Sequence, residues 1–414
     1  MHSPILPLTG LALTALVASV AVSGCGSGGT SVGSATGASS QPVVANSQSA
    51  EASQPADANN GQPVGGGAAQ AVAVTVTPAG CSAAPESVPA GPVNFTVKNV
   101  GAPKVTEIEL AKAGDNDILA SREDLKPGLT RTFSFPLAAG SYTLGCEGAT
   151  KEAVPFTVTG SAAASMLSPA QQAVAASYKT YALTRADRLI ATTKLFTNAL
   201  RGGNIQAAMA AYGPAHMIYE DIEFVGDHLD DGKLDQAIDA RQTAADEEGG
   251  QENWTGFHRL EKMLFADHTL AGARPLANRL DTDVVALRRV VAAHSFQPAE
   301  LANGAAASID ESLQVHLPAL EDHYSHTGLW DVAGKLASAK ELFSVLKPTV
   351  AQADPGVADQ VQTALDRMTS QMDKLKKGGR YVDYSTVTPA DRKALTTYAT
   401  QLDDALSKVP ALVV

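Results

Sequence analysis

The stretch with the clearest chemical potential runs from Gly256 to Phe265 and contains a histidine and a glutamate three residues apart. Its apolar residues recur at helical spacing, so the sequence predicts an amphipathic helix that begins near Trp254. Residues three apart on a helix are neighbours, and His258 and Glu261 therefore project from the same face. An imidazole nitrogen beside a carboxylate oxygen is half of a transition-metal site, and other helices must supply the remaining ligands. The alternative is a half-buried histidine that only pairs with Glu261.

Acidic residues also lie among apolar ones earlier in the chain. Glu220 and Glu223 share one face of a predicted helix, where at least one carboxylate could point inward, or both could belong to a solvated acidic face. A short acidic segment follows, and it contains Asp230, Asp231, Asp235 and Asp239. These aspartates are interpreted either as surface charge or as further ligands.

A third segment follows a leucine-rich helix and combines carboxylates with histidines. Its polar residues lie within two turns and are Glu321, Asp322, His323 and His326. Taken alone, the histidines suit the C-terminal end of a helix dipole. Taken with His258 and Glu261, the segment predicts the second half of a metal site.

Other chemistries are poorly represented in the sequence. No H-E-x-x-H motif occurs, so the usual zinc-peptidase arrangement is absent, and no nucleophile elbow, phosphate-binding loop or dinucleotide fingerprint stands out. A donor set rich in carboxylates with one or two imidazoles suits iron, manganese or zinc better than copper(I). The net charge of −12 argues against a nucleic-acid partner and is compatible with the collection of cations.

The elements that must position these residues follow a targeting segment at the N-terminus. Residues 6–22 are apolar and end in Val22-Ser23-Gly24-Cys25, the pattern of a bacterial lipobox. We therefore expect residues 1–24 to be a lipoprotein signal peptide and Cys25 to carry a lipid, although the usual basic n-region is missing. The alternative is an ordinary secretory signal with a chance cysteine. Residues 25–70, rich in Gly, Ser, Ala and Gln, predict a disordered tether.

Residues 71–160 predict a small antiparallel β-sandwich. Short runs of alternating apolar residues are separated by turns that contain Pro and Gly. The runs lie at 72–76, 93–97, 133–135, 142–144 and 156–158.

Residues 161–414 predict an up-down helical bundle, an architecture that builds metal sites between facing helices. The chain of 414 residues is long enough for two or three domains. The predicted helices cover residues 168–201, 203–230, 233–247, 253–265, 275–295, 298–324, 328–347, 354–376 and 388–407.

Cys81 and Cys146 are the two cysteines that remain besides Cys25, and both fall in the predicted sandwich. In an oxidising compartment they would form a disulfide, and ligation of a metal is an equal alternative. A blue-copper site is excluded because it needs two histidines, and none lies between residues 71 and 160. Any metal in the sandwich would need the cysteines and carboxylates such as Glu107, Glu109 and Glu123.

These motifs carry a family resemblance. The G-x-H-x-x-E spacing of Gly256, His258 and Glu261 resembles the signature of imelysin-like proteins, and the run 255–262 resembles the EfeO family of elemental ferrous iron uptake systems. The segments 219–223, 237–241, 321–325 and 329–331 occur in the order that this family shows. The predicted sandwich resembles the N-terminal cupredoxin-like domain of the same family. The resemblance covers about residues 71–410.

The resemblance implies two sets of metal ligands. In the bundle they are His258, Glu261, Glu220 and Glu321, with Asp239 as a less certain addition. In the cupredoxin-like sandwich they are Cys81, Glu107, Glu123 and Cys146.

The implied function is that of a lipid-anchored, extracytoplasmic protein, on the membrane surface or in the periplasm, that binds iron and delivers it to a membrane permease. The sandwich would hold copper or a second iron, and a haem-dependent peroxidase would be a further partner. We expect a transport component rather than an enzyme. Two alternatives stay open: an imelysin-like zinc metallopeptidase and a lipoprotein that binds an acidic polysaccharide through a bridging cation.

Overall fold

The structure is a computed structural model that describes residues 69–105, 107–115, 117–123, 125–160, 167–229, 232–242 and 254–414. The expected signal peptide, Cys25, nearly all of the tether, and Asp230 with Asp231 lie outside the described residues. The strands come first in the chain and the helices follow, and both belong to one compact unit.

The N-terminal part of the described chain is a two-sheet β-sandwich. Its strands are β1 (Gln70–Thr77), β2 (Gly80–Ala84), β3 (Ser87–Pro89), β4 (Gly91–Asn99), β5 (Ile108–Lys112), β6 (Ile118–Arg122), β7 (Thr130–Leu137), β8 (Gly140–Gly145) and β9 (Ala153–Thr159). One sheet has the order β2-β1-β4-β7 and the other has the order β3-β9-β8-β5-β6. All five predicted runs fall within strands.

The expectation of a purely antiparallel sandwich is wrong. The first strand pairs in parallel with β4, where Val72 lies opposite Phe95, and β3 pairs in parallel with β9. Alternation within one strand does not encode the direction of its neighbour, so the residues alone could not decide this point. The inward residues form an apolar core in which the ring of Phe95 stacks on Phe133 at 4.7 Å and meets Phe156 edge-on at 5.3 Å.

The second part is helical and carries the candidate site. Its helices are α1 (Pro169–Arg201), α2 (Ile205–Glu220), α3 (Glu223–His228), α4 (Lys233–Asp239), α5 (Gly256–Glu261), α6 (Ala273–Ala293), α7 (Pro298–Glu311), α8 (Gly328–Ala353), α9 (Pro355–Lys374), α10 (Pro389–Leu406) and α11 (Pro410–Val413). Two π-helical turns follow α5 and α7, at Lys262–Ala266 and Ser312–His316. A short hairpin (Lys376–Lys377 with Arg380–Tyr381) and a 3₁₀ turn (Tyr384–Thr386) lie between α9 and α10. No described helix is long and apolar enough to cross a membrane.

Several predicted helices end earlier than expected, and the segment 233–247, for example, leaves the α-helix after Asp239. The segment 203–230 breaks after Glu220, where the Asp221 carboxylate turns to Arg185 at 2.5 Å and accepts a hydrogen bond from the Tyr181 hydroxyl at 2.6 Å. The segment 298–324 leaves the α-helix at residue 311 and continues as a π turn and then an irregular loop. In that loop Ala319 and Asp322 have positive φ, which an α-helix excludes.

Helix α7 fastens the helical part to the sandwich. The Asn303 amide donates to the backbone oxygen of Ser134 at 2.8 Å, and the buried Arg122 guanidinium lies 3.4 Å from Asn303. Nearby, Arg131 of β7 makes two hydrogen bonds to the carboxylate of Asp310, at 2.5 and 2.6 Å. Paired bonds of this kind are geometrically specific, so the two parts are held in one register.

Candidate metal centre

Histidine and carboxylate side chains alternate in the middle of the helical part. His216 Nε2 lies 2.7 Å from Asp239 Oδ1 and 3.1 Å from Glu220 Oε1. The other oxygen of Glu220, Oε2, lies 3.3 Å from His316 Nε2, which in turn lies 2.8 Å from Glu321 Oε2. The Glu220 carboxylate therefore lies between two imidazoles, those of His216 and His316.

His258 closes this arrangement into a ring. Its Nε2 atom lies 2.9 Å from Glu321 Oε1 and 3.6 Å from Asp239 Oδ1. All three histidines thus present the same ring nitrogen to the centre. We call this set the six-residue ring; its members are His216, Glu220, His316, Glu321, His258 and Asp239.

Separate elements of the fold supply the members of the ring. His216 and Glu220 are one helical turn apart on α2 and share its inner face. Asp239 is the last residue of α4, and His258 lies on α5. His316 ends the second π turn, and Glu321 follows in the loop. Single π turns are frequently found at functional sites, and here one π turn contains His316 while the other follows the HxxE motif.

Close packing between α4 and the start of α5 brings Asp239 and His258 together. The Trp254 indole donates to the Ala240 carbonyl at 2.6 Å, and the Thr255 hydroxyl donates to the Ala237 carbonyl at 2.8 Å. Gly256 has φ +83°, and a Cβ there would lie 2.1 Å from the Ile238 carbonyl oxygen. Only glycine fits this position, which explains the first residue of the G-x-H-x-x-E motif.

A second layer of carboxylates surrounds the ring. Glu261 lies 3.2 Å from His258 Nδ1, and its other oxygen accepts the backbone N–H groups of Tyr324 and Ser325 at 3.0 and 2.8 Å. Asp331 of α8 lies 3.0 Å from His216 Nδ1. Such outer contacts fix the orientation of imidazoles that ligate a metal.

Asp322 belongs to the same layer. It sits in the loop with φ +50° and accepts hydrogen bonds from the hydroxyls of Tyr212 (2.7 Å) and Thr327. Buried residues in this backbone region cluster at functional sites, where the surrounding contacts hold them in place.

The ring is strongly polarised. Burial opposes the charged form of each histidine, but the nearby carboxylates outweigh it and raise the pKa of all three well above the ordinary value. Burial likewise opposes ionisation of Glu220, yet Lys335 and His216 lower its pKa to about 2. The pKa of Glu321 is also well below its ordinary range, since His316 and His258 outweigh burial. Burial raises the pKa of Asp239, the third carboxyl of the ring, against the opposing effect of His216 and His258. A cation bound at the ring would compete with protons for the imidazole nitrogens.

Several buried polar atoms of the centre lack a hydrogen bond of regular geometry, although some of them lie in ion-pair contact with each other. They include both oxygens of Glu220, both oxygens of Asp331, one oxygen of Glu321 and both ring nitrogens of His316. Buried polar atoms are rarely left unsatisfied, and an ion is one explanation when they are. The donors are imidazole nitrogen and carboxylate oxygen with no sulfur, a set that fits iron, manganese or zinc and disfavours copper(I).

The five bundle residues expected from the sequence meet at this centre: His258, Glu261, Glu220, Glu321 and Asp239. His323 and His326 do not, because both are exposed and the loop turns them outward. Sequence reasoning missed His216 and His316, which are at most 1% exposed. For His216 a signal existed, because it lies four residues before Glu220 on one helix face.

The sandwich residues form a different arrangement. Cys81 and Cys146 are joined in a disulfide with a Cα–Cα distance of 6.2 Å. The structure thus favours the disulfide among the two alternatives, and bonded sulfurs offer no thiolate, which is the form that ligates a metal. In the expected ligand set of Cys81, Glu107, Glu123 and Cys146, the two cysteines are therefore replaced by a disulfide, and only the two glutamates remain as candidate ligands. Glu107 and Glu123 instead lie beside Asp227 of α3, with one oxygen from each within 4.8 Å of the others.

Comparisons with known proteins agree with this organisation. The model of the family Peptidase_M75, described as Imelysin, matches residues 174–409, which is more than half of the chain. Three relatives are each named Iron uptake system component EfeO and come from Escherichia coli O1:K1 / APEC, Escherichia coli strain K12 and Shigella flexneri. Each is 32% identical over 344 residues, which is 82% of this chain and 90% of the relative.

A solved structure from Parabacteroides distasonis ATCC 8503 aligns with a TM-score of 0.48 and 14% identity, over 60% of this chain and 97% of that one. A similarity at this level carries no argument. The family match and the relatives are the informative comparisons. The family match covers residues 174–409, which include the whole six-residue ring, and the relatives align over 82% of the chain. The chain belongs to the imelysin family and is a homologue of the iron uptake component EfeO.

Proposed function

We propose that this chain binds one iron ion at the six-residue ring as a component of an iron uptake system. The observation that carries the proposal is the convergence of three imidazole Nε2 atoms and three carboxylates in a buried centre. Two histidines and one carboxylate already form a donor set typical of ferrous iron, and the ring offers more. The name of the relatives, Iron uptake system component EfeO, points to the same metal.

The proposal is tested by calorimetric titration of the full chain with Fe²⁺, Zn²⁺ and Cu⁺ under anaerobic conditions. We expect tight Fe²⁺ binding that is lost in His258→Ala/Glu261→Ala. His323→Ala is the matched control, because His323 is exposed, and it should bind iron as the wild type does. Iron binding that survives the double substitution would remove the ring from consideration and redirect attention to the sandwich.

We further propose that the protein works outside the cytoplasm, anchored by a lipid on Cys25, and passes iron to a membrane permease, with a haem-dependent peroxidase as a second partner. The lipobox and the tether support the anchor, and the EfeO relatives support membership of a multi-component system. The anchor is tested with Cys25→Ser. This variant should leave the membrane fraction and appear in the medium or periplasm, and a variant that stays in the membrane would contradict the lipid.

The domain arrangement belongs to the same proposal: residues 71–160 as a cupredoxin-like sandwich and residues 161–414 as an imelysin-like bundle. A second cation site in the sandwich would rest on Glu107 and Glu123 rather than on the disulfide. The Glu107 Oε1 atom is buried without a hydrogen bond, which supports a ligand there. A copper site built from thiolates is no longer part of the proposal.

Transport fits the geometry better than peptide hydrolysis, although the family description contains the word peptidase. A metallopeptidase needs an open metal position that a peptide or a polymer can reach. His216, His258 and Glu220 are 0%, 3% and 1% exposed, which suits a small ion. The same burial argues against a cation-bridged polysaccharide. Hydrolysis of a peptide library by the zinc-loaded protein, abolished in His258→Ala, would overturn this preference.

A further inference from the structure

A buried lysine lies beside the ring and is not one of its members. Lys335 of α8 is 3% exposed, and its Nζ atom lies 3.5 Å from Glu220 Oε2. The same ammonium group also contacts the carboxylates of Glu223 and Glu311. Glu220 therefore has a double role: Oε2 faces His316 at 3.3 Å on the ring side and Lys335 on the other side.

Close packing of the backbones of α2 and α8 brings this lysine next to Glu220. Helices α2 and α8 approach so closely that a Cβ on Gly334 would lie 2.4 Å from the Glu220 Cβ and 2.5 Å from the Met217 carbonyl oxygen. Lys335 is the next residue, and Asp331, one turn earlier on α8, contacts the ring histidine His216. A buried lysine is costly unless it is paired, and here three carboxylates surround it.

Three carboxylates around one cation, one of them shared with an adjacent metal centre, form the donor arrangement of a dinuclear site. Helical bundles that hold two metal ions build such sites from glutamates and histidines on facing helices, with carboxylates between the ions. In this protein a fixed ammonium group occupies the second position.

We propose that the ammonium group of Lys335 stands where a second divalent cation would otherwise bind, and so restricts the centre to a single ion. The inference rests on the proposed function, because it requires the ring itself to bind metal. For a carrier the consequence is useful: with a fixed positive charge on the shared carboxylate, Glu220 binds the single ion less tightly than it would if Lys335 were absent. The ion can then be released to the next component.

The test uses Mn²⁺ as the probe, since one ion and a coupled pair of ions give different electron paramagnetic resonance spectra. The full chain is compared with Lys335→Ala, Lys335→His and the charge-preserving Lys335→Arg. Manganese per chain is measured by elemental analysis after desalting. Lys335→Ala and Lys335→His should bind one more Mn²⁺ than the wild type and show an exchange-coupled spectrum. Lys335→Arg should match the wild type.

The outcomes separate the two proposals. A folded Lys335→Ala or Lys335→His that binds no additional ion, or binds one with no exchange coupling, overturns the inference and leaves the ring intact. Failure of both variants to fold in the presence of Mn²⁺ also overturns it, because the metal should replace the missing charge. Wild-type manganese binding that is unaffected by His258→Ala/Glu261→Ala overturns the proposed function, and this inference with it.

Discussion

At the scale of single residues, the histidines of the six-residue ring differ from the loop histidines His323 and His326 in burial and in the charges around them. His216 and His316 have carboxylates beside their Nε2 atoms and are buried. The His323 ring is exposed and lies tilted by 42° against Tyr324, with centroids 3.8 Å apart. Burial and nearby carboxylates thus distinguish the histidines of the candidate site, whereas residue type alone does not.

His216→Ala tests the residue that the motif does not contain. The substitution removes one imidazole and leaves Asp239 and Glu220 without their shared cation, so iron affinity should fall by at least the roughly 10–100-fold that loss of a mere supporting residue costs. The metal-free protein should also lose about 3–5 kcal/mol of unfolding free energy, as expected when a buried pair is broken. Both are measured by calorimetry and denaturant unfolding.

His323→Ala is the control for this prediction, and neither quantity should change there by more than about 0.5 kcal/mol. Equal iron affinity in the wild type and His216→Ala would show that His216 is only a structural partner of Asp239.

The candidate site was predictable from the sequence where its residues share one regular helix. His258 with Glu261, and the inward orientation of Glu220, follow from α-helical spacing. His316 could not be found in that way, because it ends a π turn and Glu321 lies in an irregular loop beyond it. The apolar residues around His316 give no indication of chemistry.

At the scale of elements, the centre depends on how closely short helices approach. Helix α5 begins at a glycine pressed against the Ile238 carbonyl oxygen, next to Asp239, so the start of α5 and the end of α4 form one unit. The backbone contact therefore controls the distance between His258 and Asp239. Sequence periodicity predicted the helix but not this contact, which arises between segments distant from each other in the chain.

Gly256→Ala should disrupt both folding and metal binding. A left-handed backbone costs an alanine about 1–2 kcal/mol, and the overlap with Ile238 must add to that, so we expect a loss of about 3 kcal/mol or more. Iron affinity should fall with it, because the Asp239 backbone has to move. Thermal unfolding and calorimetric titration measure the two effects.

Gly272→Ala provides the matched control. Gly272 is the residue immediately before α6 and has φ +84°, close to the value at Gly256, but a Cβ there would meet nothing within 4 Å. It should show only the cost of the backbone conformation and normal iron binding. Equal losses in the two variants would show that the contact with Ile238 is unimportant.

At the scale of the whole molecule, the sandwich and the helices share buried polar contacts. The Arg131–Asp310 pair joins β7 to α7, and Asp403 of α10 lies in the same electrostatic environment. Burial and the charge of Asp310 raise the pKa of Asp403 to about 7, against the opposing effect of Arg131 and Arg122. The contacts that join the two regions therefore involve residues other than those of the six-residue ring.

Asp403→Asn should stabilise the protein only at high pH. The pKa is near 3.9 in the unfolded chain and about 7 in the folded protein, so the folded state retains a proton that the unfolded state releases. Stability is therefore lost as pH rises from about 4 to about 7. Asparagine mimics the protonated form, and because the site is partly exposed we expect a gain of about 1–2 kcal/mol at pH 8 and none at pH 4.

Asp404→Asn, at the exposed neighbouring position, also removes one carboxylate charge and should gain less stability at pH 8 than Asp403→Asn. Unfolding temperatures at the two pH values measure the effect. A gain in Asp403→Asn that is the same at pH 4 and pH 8 would contradict the shifted pKa.

The order of the two regions and most of their elements were predictable, because alternating and helical apolar patterns differ in period. The parallel strand pairs, the break after Glu220 and the attachment of α7 to the sandwich were not, since each depends on partners far away in sequence. The disulfide was one of two alternatives that the residues left open.

The most direct test of the central claim is the position of the metal itself. Crystals of the full chain loaded with Fe²⁺ would be measured on both sides of the iron absorption edge, and the anomalous difference map would locate the ion. We expect one peak in the helical part, bonded to His216, His258 or His316 together with carboxylates of the ring. A peak only at the sandwich, or bound iron with no density at the ring, would contradict it.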